Sequence, residues 1–175
     1  METEGCLLSE DMNGEQIINF LSLDEHTGRA FQGLVMRDFP CLPSLKKKEA
    51  LYILNTDVLA GDGIHWCAAY FTEQICEFFD PFGLPPEHYG LDTVLRSKAV
   101  GRRYFNSVRV QNLTSDSCGP HCLFYSFHRC RGYTLPEIIK LYRNSGAKIE
   151  SDKKAEQFVL SFGDSFKLHK RQSYV

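Results

Sequence analysis

A polar, turn-rich stretch, Gln111-Asn112-Leu113-Thr114-Ser115-Asp116-Ser117, runs into Cys118, and an apolar helical pattern starts directly behind it. Leu123, Phe124, Phe127 and Cys130 recur at i, i+1, i+4 and i+7, the spacing of a buried helix face. Pro120 sits where a first helical turn tolerates a residue without an N–H. Cys118 is therefore expected at the N-terminus of a central, mostly buried helix. The dipole and unpaired N–H groups there favour an anion, and hence thiolate over thiol. Cys118 is the candidate nucleophile.

A thiolate nucleophile needs an imidazole partner, and the imidazole needs an orienting acceptor. Of the six histidines, His65 is the best placed, early in an expected strand that begins Gly63-Ile64-His65-Trp66. The next expected strand ends in Phe79-Asp80-Pro81. If the two pair as a hairpin through Thr72-Glu73, Asp80 falls directly opposite His65 and becomes the candidate orienter. An ordinary hydrogen-bonded strand pair is the alternative reading of these two residues. Gln111 lies at the end of a further expected strand, where its side-chain amide is a candidate oxyanion donor beside the Cys118 N–H. An ordinary loop glutamine is its alternative.

Metal binding is the rival chemistry. Cys118, His121, Cys122, His128 and Cys130 lie close in sequence and include four or more zinc-type ligands. His128 and Cys130, however, lie ten and twelve residues beyond Cys118, roughly 15 Å or more along an unbroken helix, so no metal is expected there. Cys122, Cys130, Cys67 and Cys76 read more simply as small buried apolar residues.

These residues need a scaffold, and the rest of the chain supplies one. Its 175 residues, 43% hydrophobic and 13% aromatic, fit a single folded domain spanning 1–175. No apolar run reaches membrane-spanning length. The acidic start Met1-Glu2-Thr3-Glu4 lacks the basic and apolar regions of a signal peptide. With seven cysteines, an odd number, no complete disulfide framework is expected, and reduced thiols in an intracellular monomer are the default.

The pattern gives helices at Glu10–Leu23 (Ser9 as N-cap, with Ile17, Ile18 and Leu21 inward), Leu91–Ala99, the Cys118 segment, Leu135–Arg143 and Asp152–Phe162, with Gly163 as a stop. Strands are expected at Ala50–Val58, Ile64–Phe71, Gln74–Asp80 and Tyr104–Val110. Gly28–Pro43 reads as loop because Gly28, Gly33, Pro40 and Pro43 interrupt every regular period. The sum is α+β: a compact, mainly antiparallel sheet flanked by helices.

The net charge of −2 hides an uneven distribution. Residues 1–92 hold 5 Lys/Arg against 16 Asp/Glu, and residues 93–175 hold 15 against 6. Arg96, Lys98, Arg102, Arg103 and Arg109 fall in one acid-free stretch, and Lys167, Lys170 and Arg171 in the tail. These are candidate contacts to a polyanion such as DNA. A solvated surface, or pairing between the halves, is the plain alternative.

Taken together, Gly-Ile-His65-Trp66, Phe-Phe-Asp80-Pro-Phe-Gly, Gln111, and Cys118-Gly-x-x-Cys122 resemble, in this order, the adenovirus cysteine protease family, adenain. Gln32-Gly33-Leu34-Val35-Met36-Arg37-Asp38-Phe39-Pro40 resembles that family's N-terminal segment. The likeness covers about residues 30–130. The family carries Glu before Pro-Phe-Gly. Asp80 is one methylene shorter, as in the related SUMO proteases.

The resemblance implies a mixed sheet flanked by helices, with His65 as general base, Asp80 as its orienter, Cys118 as nucleophile and Gln111 as oxyanion donor. It implies cleavage of viral capsid and core precursors after glycine, in Gly-Gly or Gly-x-Gly contexts, in the host nucleus and virion. It implies stimulation by DNA and by a capsid-precursor peptide that can attach through a disulfide. This chain has no cysteine between Cys76 and Cys118 and reads Val100-Gly101-Arg102-Arg103 in that region, which speaks against covalent attachment there. A protease of ubiquitin-like modifiers and an inactive DNA- or capsid-binding module are the alternatives.

Overall fold

A computed structural model describes residues 12–42, 48–61, 64–97, 101–143 and 148–172. Its elements run α1 (Gly14–Leu23), α2 (Glu25–Ala30), β1 (Phe31–Met36), β2 (Glu49–Asn55), β3 (Trp66–Thr72), β4 (Ile75–Phe79), a 3₁₀ turn (Pro86–Tyr89), α3 (Asp92–Arg96), β5 (Arg102–Phe105), α4 (Cys118–Arg129), α5 (Leu135–Arg143) and α6 (Lys148–Gln172). The five strands form one mixed sheet in the order β1-β2-β3-β4-β5. Its interior, β2-β3-β4, is antiparallel, and each edge strand joins in parallel. The α+β class read from the sequence holds. Among the described residues, no helix is long and apolar enough to cross a membrane.

The alternation of β3 explains why both faces of the sheet are covered. Trp66, Ala68 and Tyr70 join Leu51, Ile53 and Phe79 in a core with Ile17, Phe20 and Leu21 of α1, Leu123, Phe124 and Tyr125 of α4, Ile138 and Tyr142 of α5, and Val159 of α6. Cys67, Ala69 and Phe71 join Tyr52, Leu54, Cys76 and Phe78 under Leu91, Val94 and Leu95 on the other face. Ala68 and Ala69 present only methyl groups at the sheet centre, which lets α4 seat closely on one side. Phe79 of β4 stacks nearly parallel on Tyr125 of α4, with ring centroids 4.6 Å apart.

Several sequence expectations need correction. The first helix starts at Gly14, capped by Asn13 in a reciprocal box with Gln16. The expected start at Glu10 and cap Ser9 lie outside the described residues, and Ile18 is exposed. The segment read as loop holds the second half of α2 and all of β1. The signal for β1 was broken by Gly33, which takes a φ of +142° at the point where the β1–β2 register shifts. The last helix runs straight through Gly163. A helical glycine costs about 1 kcal/mol against alanine, too little to stop a helix that neighbouring packing already holds. The strand expected at Tyr104–Val110 is only Arg102–Phe105, with irregular backbone leading to Gln111. Part of the helix expected over Leu91–Ala99 lies outside the described residues, and α3 covers Asp92–Arg96.

The Phe79–Tyr125 stack gives a direct test of the core. Phe79→Ala is expected to destabilise the fold by about 3–5 kcal/mol, measured by denaturant unfolding.

Candidate active site

The site lies where the β3 and β4 ends meet the start of α4. The backbone of His65 extends the sheet by one step, because its carbonyl accepts from Thr56 N at 3.0 Å. The hairpin register differs from the expectation by two residues. Phe71 pairs with Cys76 and Ala68 with Phe79, so continuing the ladder sets Asp80 opposite Cys67 rather than His65. The expected contact nevertheless forms, with His65 Nε2 2.7 Å from Asp80 Oδ1. A slip of two residues keeps every side chain on its own face, whereas a slip of one would have parted the pair.

Asp80 is fully buried, and a buried carboxylate must have its lone pairs filled. Oδ1 accepts from His65 and from Phe82 N at 3.1 Å. Oδ2 accepts from Leu84 N at 2.8 Å and from the Tyr89 hydroxyl at 3.1 Å. The Asp80 backbone is fixed as well. Its N–H donates to Asn106 Oδ1 at 2.8 Å, and its carbonyl accepts from Asn106 Nδ2 at 2.6 Å. The imidazole itself stacks on Phe82, 4.7 Å between centroids.

A carboxylate only accepts, so His65 Nε2 carries a proton and Nδ1 is the nitrogen left for Cys118. His65 is 6% exposed. Burial is the largest influence on the imidazole and pulls its pKa down. The hydrogen bonds to Asp80 and Cys118, with the charge of both, outweigh burial and raise it to about 9. Cys118 is the first residue of α4 and is 6% exposed. The N-cap, Ser117, makes no side-chain bond to the helix's first N–H groups. Gly119 is required beside it, because a Cβ there would come within 2.8 Å of Met12 Cβ. Met12 in turn accepts the Trp66 indole N–H at 2.8 Å.

Gln111 is held on every side. Val110 N and Gln111 N both donate to the Pro81 carbonyl, at 2.9 and 3.0 Å. Its amide Nε2 donates to the Ser115 carbonyl at 2.6 Å. An amide nitrogen has two N–H groups, so one remains beyond this anchor, while Oε1 is buried without a partner. The next residue is clamped by α6, where Asp152 accepts from Asn112 N at 3.1 and 3.2 Å. Asp152 also accepts from His121 Nε2 at 2.9 Å, and His121 Nδ1 lies 3.1 Å from the Tyr142 hydroxyl. Burial is the main reason the His121 pKa falls below the ordinary value. A neutral ring, donating through Nε2 and accepting at Nδ1, fits both contacts.

The Asp-Pro-Phe-Gly turn thus joins two parts of the site. Asp80 orients His65, the Pro81 carbonyl holds the Gln111 backbone, and Gly83 admits the 108–109 segment. Gly83 has φ +74°, and a Cβ there would lie 2.7 Å from Arg109 N and 2.8 Å from Val108 C. Asn106, Tyr89 and Asp152 are site residues that the sequence does not single out. Asn106 and Tyr89 lack any local motif. The Cys118–His121 spacing, i and i+3 on one helix, was weighed only as a metal signal.

The basic candidates separate. Arg96 is paired with Asp92 at 3.4 Å and Glu87 at 3.8 Å. Arg102 and Arg103 are successive residues of exposed β5, and so point to opposite faces. Arg109 is half-buried, and Lys98 lies outside the described residues. The residues weighed as a rival metal site, Cys118, His121, Cys122, His128 and Cys130, do not bring three ligand atoms together among the described residues. One group there does have clustered ligand atoms: His65, Cys67 and Asp80. The six described cysteines are free thiols.

No family model matches the chain, and no curated protein matches it. Among solved structures, it is similar to the ASFV pS273R protease, crystallised with selenomethionine. That match has a TM-score of 0.41 and 23% identity and covers 62% of this chain. The chain spans 43% of that protein's length.

Two outcomes follow from this geometry. Gly83→Ala is expected to cost about 1–3 kcal/mol of stability and to shift the amide NMR signals of residues 108–111. The second concerns pH. The folded-state pKa of His65 is raised, from 6.5 to about 9. Its contribution is therefore complete below 6.5 and lost as pH rises through about 9. Comparing denaturant unfolding of the native chain and His65→Gln, the difference should be largest at acid pH, on the order of 3 kcal/mol, and shrink across that window.

Proposed function

We propose that the protein is a cysteine endopeptidase. The observation that carries this reading is the buried imidazole of His65, hydrogen-bonded to Asp80 through Nε2, with Cys118 as well as Asp80 raising its pKa. Cys118 attacks the scissile carbonyl as the thiolate, and a carbon–sulfur bond forms. The developing oxyanion is held by the Cys118 N–H and by the free N–H of Gln111. His65 gives a proton to the leaving amine. A water molecule, deprotonated by His65, then attacks the thioester, and the carbon–sulfur bond breaks to return the Cys118 thiolate beside the protonated imidazole. Asp80, fixed by the Phe82 and Leu84 N–H groups and the Tyr89 hydroxyl, keeps the ring in the tautomer that this sequence of transfers needs.

The finer reading rests on the adenain-like order of His65-Trp66, Asp80-Pro-Phe-Gly, Gln111 and Cys118-Gly. In that reading a monomeric enzyme cleaves viral capsid and core precursors after glycine, in Gly-Gly or Gly-x-Gly contexts, in the host nucleus and virion. DNA acts as a stimulator through Arg96, Lys98, Arg102, Arg103 and Arg109. Arg102 and Arg103, exposed on the edge strand, are the readiest of these. Arg96 would first exchange its carboxylate partners for phosphate. A capsid-precursor peptide, if it activates, attaches without a disulfide in the Cys76–Cys118 interval.

The test is labelling by a thiol-directed probe ending in Gly-Gly, with and without DNA. Labelling should vanish in Cys118→Ala and slow by on the order of 100-fold or more in His65→Ala. Faster labelling with DNA supports the stimulator. A native chain unlabelled in every condition, capsid-precursor peptides included, contradicts the peptidase reading. Turnover of ubiquitin-like conjugates in preference to precursor peptides would reassign the substrate.

A further inference from the structure

Cys67 plays no part in the peptidase chemistry, yet it lies against its centre. It follows His65 by two residues at the start of β3 and is fully buried. Its Sγ lies 3.8 Å from Asp80 Oδ1, the same oxygen that His65 Nε2 meets at 2.7 Å. The three ligand atoms all fall within 4.8 Å of one another. The register explains this meeting. Asp80 stands across from Cys67, and His65 reaches the same oxygen from the next position on that face.

We propose that His65, Cys67 and Asp80 form an inhibitory site for a zinc-class divalent cation. An imidazole nitrogen, a thiolate and a carboxylate oxygen make a donor set that zinc accepts, with three protein ligands and one open position. The surrounding shell is already in place. Leu84 N and Tyr89 donate to Oδ2 and Phe82 N to Oδ1, so the carboxylate stays oriented while Oδ1 turns from the imidazole to the ion. Binding forms N–metal, S–metal and O–metal bonds. The Cys67 thiol and His65 Nε2 each release one proton to solvent, and no redox change is involved. The ion replaces the Nε2–H···Oδ1 hydrogen bond that orients the catalytic ring. Cys118 is outside this ligand set, which separates the site from simple capture of metal by a reactive thiol and its histidine. The inhibitory consequence rests on the peptidase reading; binding of the ion does not.

Cobalt(II) is the probe, because its thiolate charge-transfer absorption reports sulfur ligation directly. It is added to Cys118→Ala protein, so that the nucleophile cannot contribute. One equivalent should bind with a thiolate-to-cobalt band and be displaced by zinc. Cys67→Ser in that background should abolish the band. Cys67→Val, which refills the apolar volume, should do the same and covers the case in which serine disturbs folding. Absence of the band in Cys118→Ala, or its survival in both Cys67 variants, overturns the proposal. In the native chain, zinc should inhibit turnover reversibly. Cys67→Val should raise the half-inhibiting zinc concentration on the order of tenfold or more; an unchanged zinc sensitivity overturns the inhibitory role. A chain without turnover would defeat the peptidase reading, while the cobalt spectrum would still decide the site.

Discussion

A carboxylate with no solvent contact sits at the end of β4, and the site is arranged to satisfy it. Asp80 cannot be buried as an anion unless donors surround it. His65 provides one, the turn Pro81–Leu84 provides two backbone N–H groups, and Tyr89 provides a hydroxyl. Each donor brings its own element to a fixed position. The imidazole is placed at the start of β3, the 3₁₀ turn is drawn under the sheet, and the Asp-Pro-Phe-Gly turn is folded tightly. That turn then offers the Pro81 carbonyl to Val110 and Gln111, so the element that orients His65 also positions the Gln111 amide seven residues before Cys118. Asn106 locks the arrangement by pairing with both backbone groups of Asp80.

The helical layer completes the site from the other side. Cys118 begins α4, whose first turns are buried against β3, α1 and α6. Three residues on, His121 carries the link to Tyr142 of α5 and Asp152 of α6. Asp152 also binds the backbone next to Gln111. The segment from Gln111 to Ser117 is thus pinned by Pro81 and Asp152 at one end and by the helix itself at the other. Preorganisation of this kind lets N–H groups stabilise a developing charge without reorganising at the moment of reaction.

The sequence showed much of this because the parts with strong local signatures are the parts that chemistry needs. A helix that begins at Cys118, and two paired strands that leave His65 and Asp80 at their ends, each followed from periodicity and turn residues, although β3 begins one residue after His65 and β4 ends one before Asp80. Even the wrong hairpin register left His65 and Asp80 together, since period-two alternation forgives a shift of two. What stayed hidden depends on approach across the fold. β1 was masked by Gly33, whose backbone bulges within the strand. Asn106, Tyr89 and Asp152 carry no pattern of their own and gain their roles only when distant segments meet. Cys67 read as an apolar filler, which its burial supports, but sequence could not place its sulfur beside Asp80. Successive arginines on β5 looked like one basic run, yet a strand sends them to opposite faces.

The central claim is that Asp80 and Cys118 together hold His65 as a ready proton donor despite its burial. The most direct measurement is an NMR titration of the His65 ring in the native chain and in Asp80→Asn and Cys118→Ala. The account predicts a native pKa of about 9, and a fall in each variant as burial gains over the remaining partner. A native ring that titrates near the ordinary 6.5 and is unmoved by Asp80→Asn would contradict it.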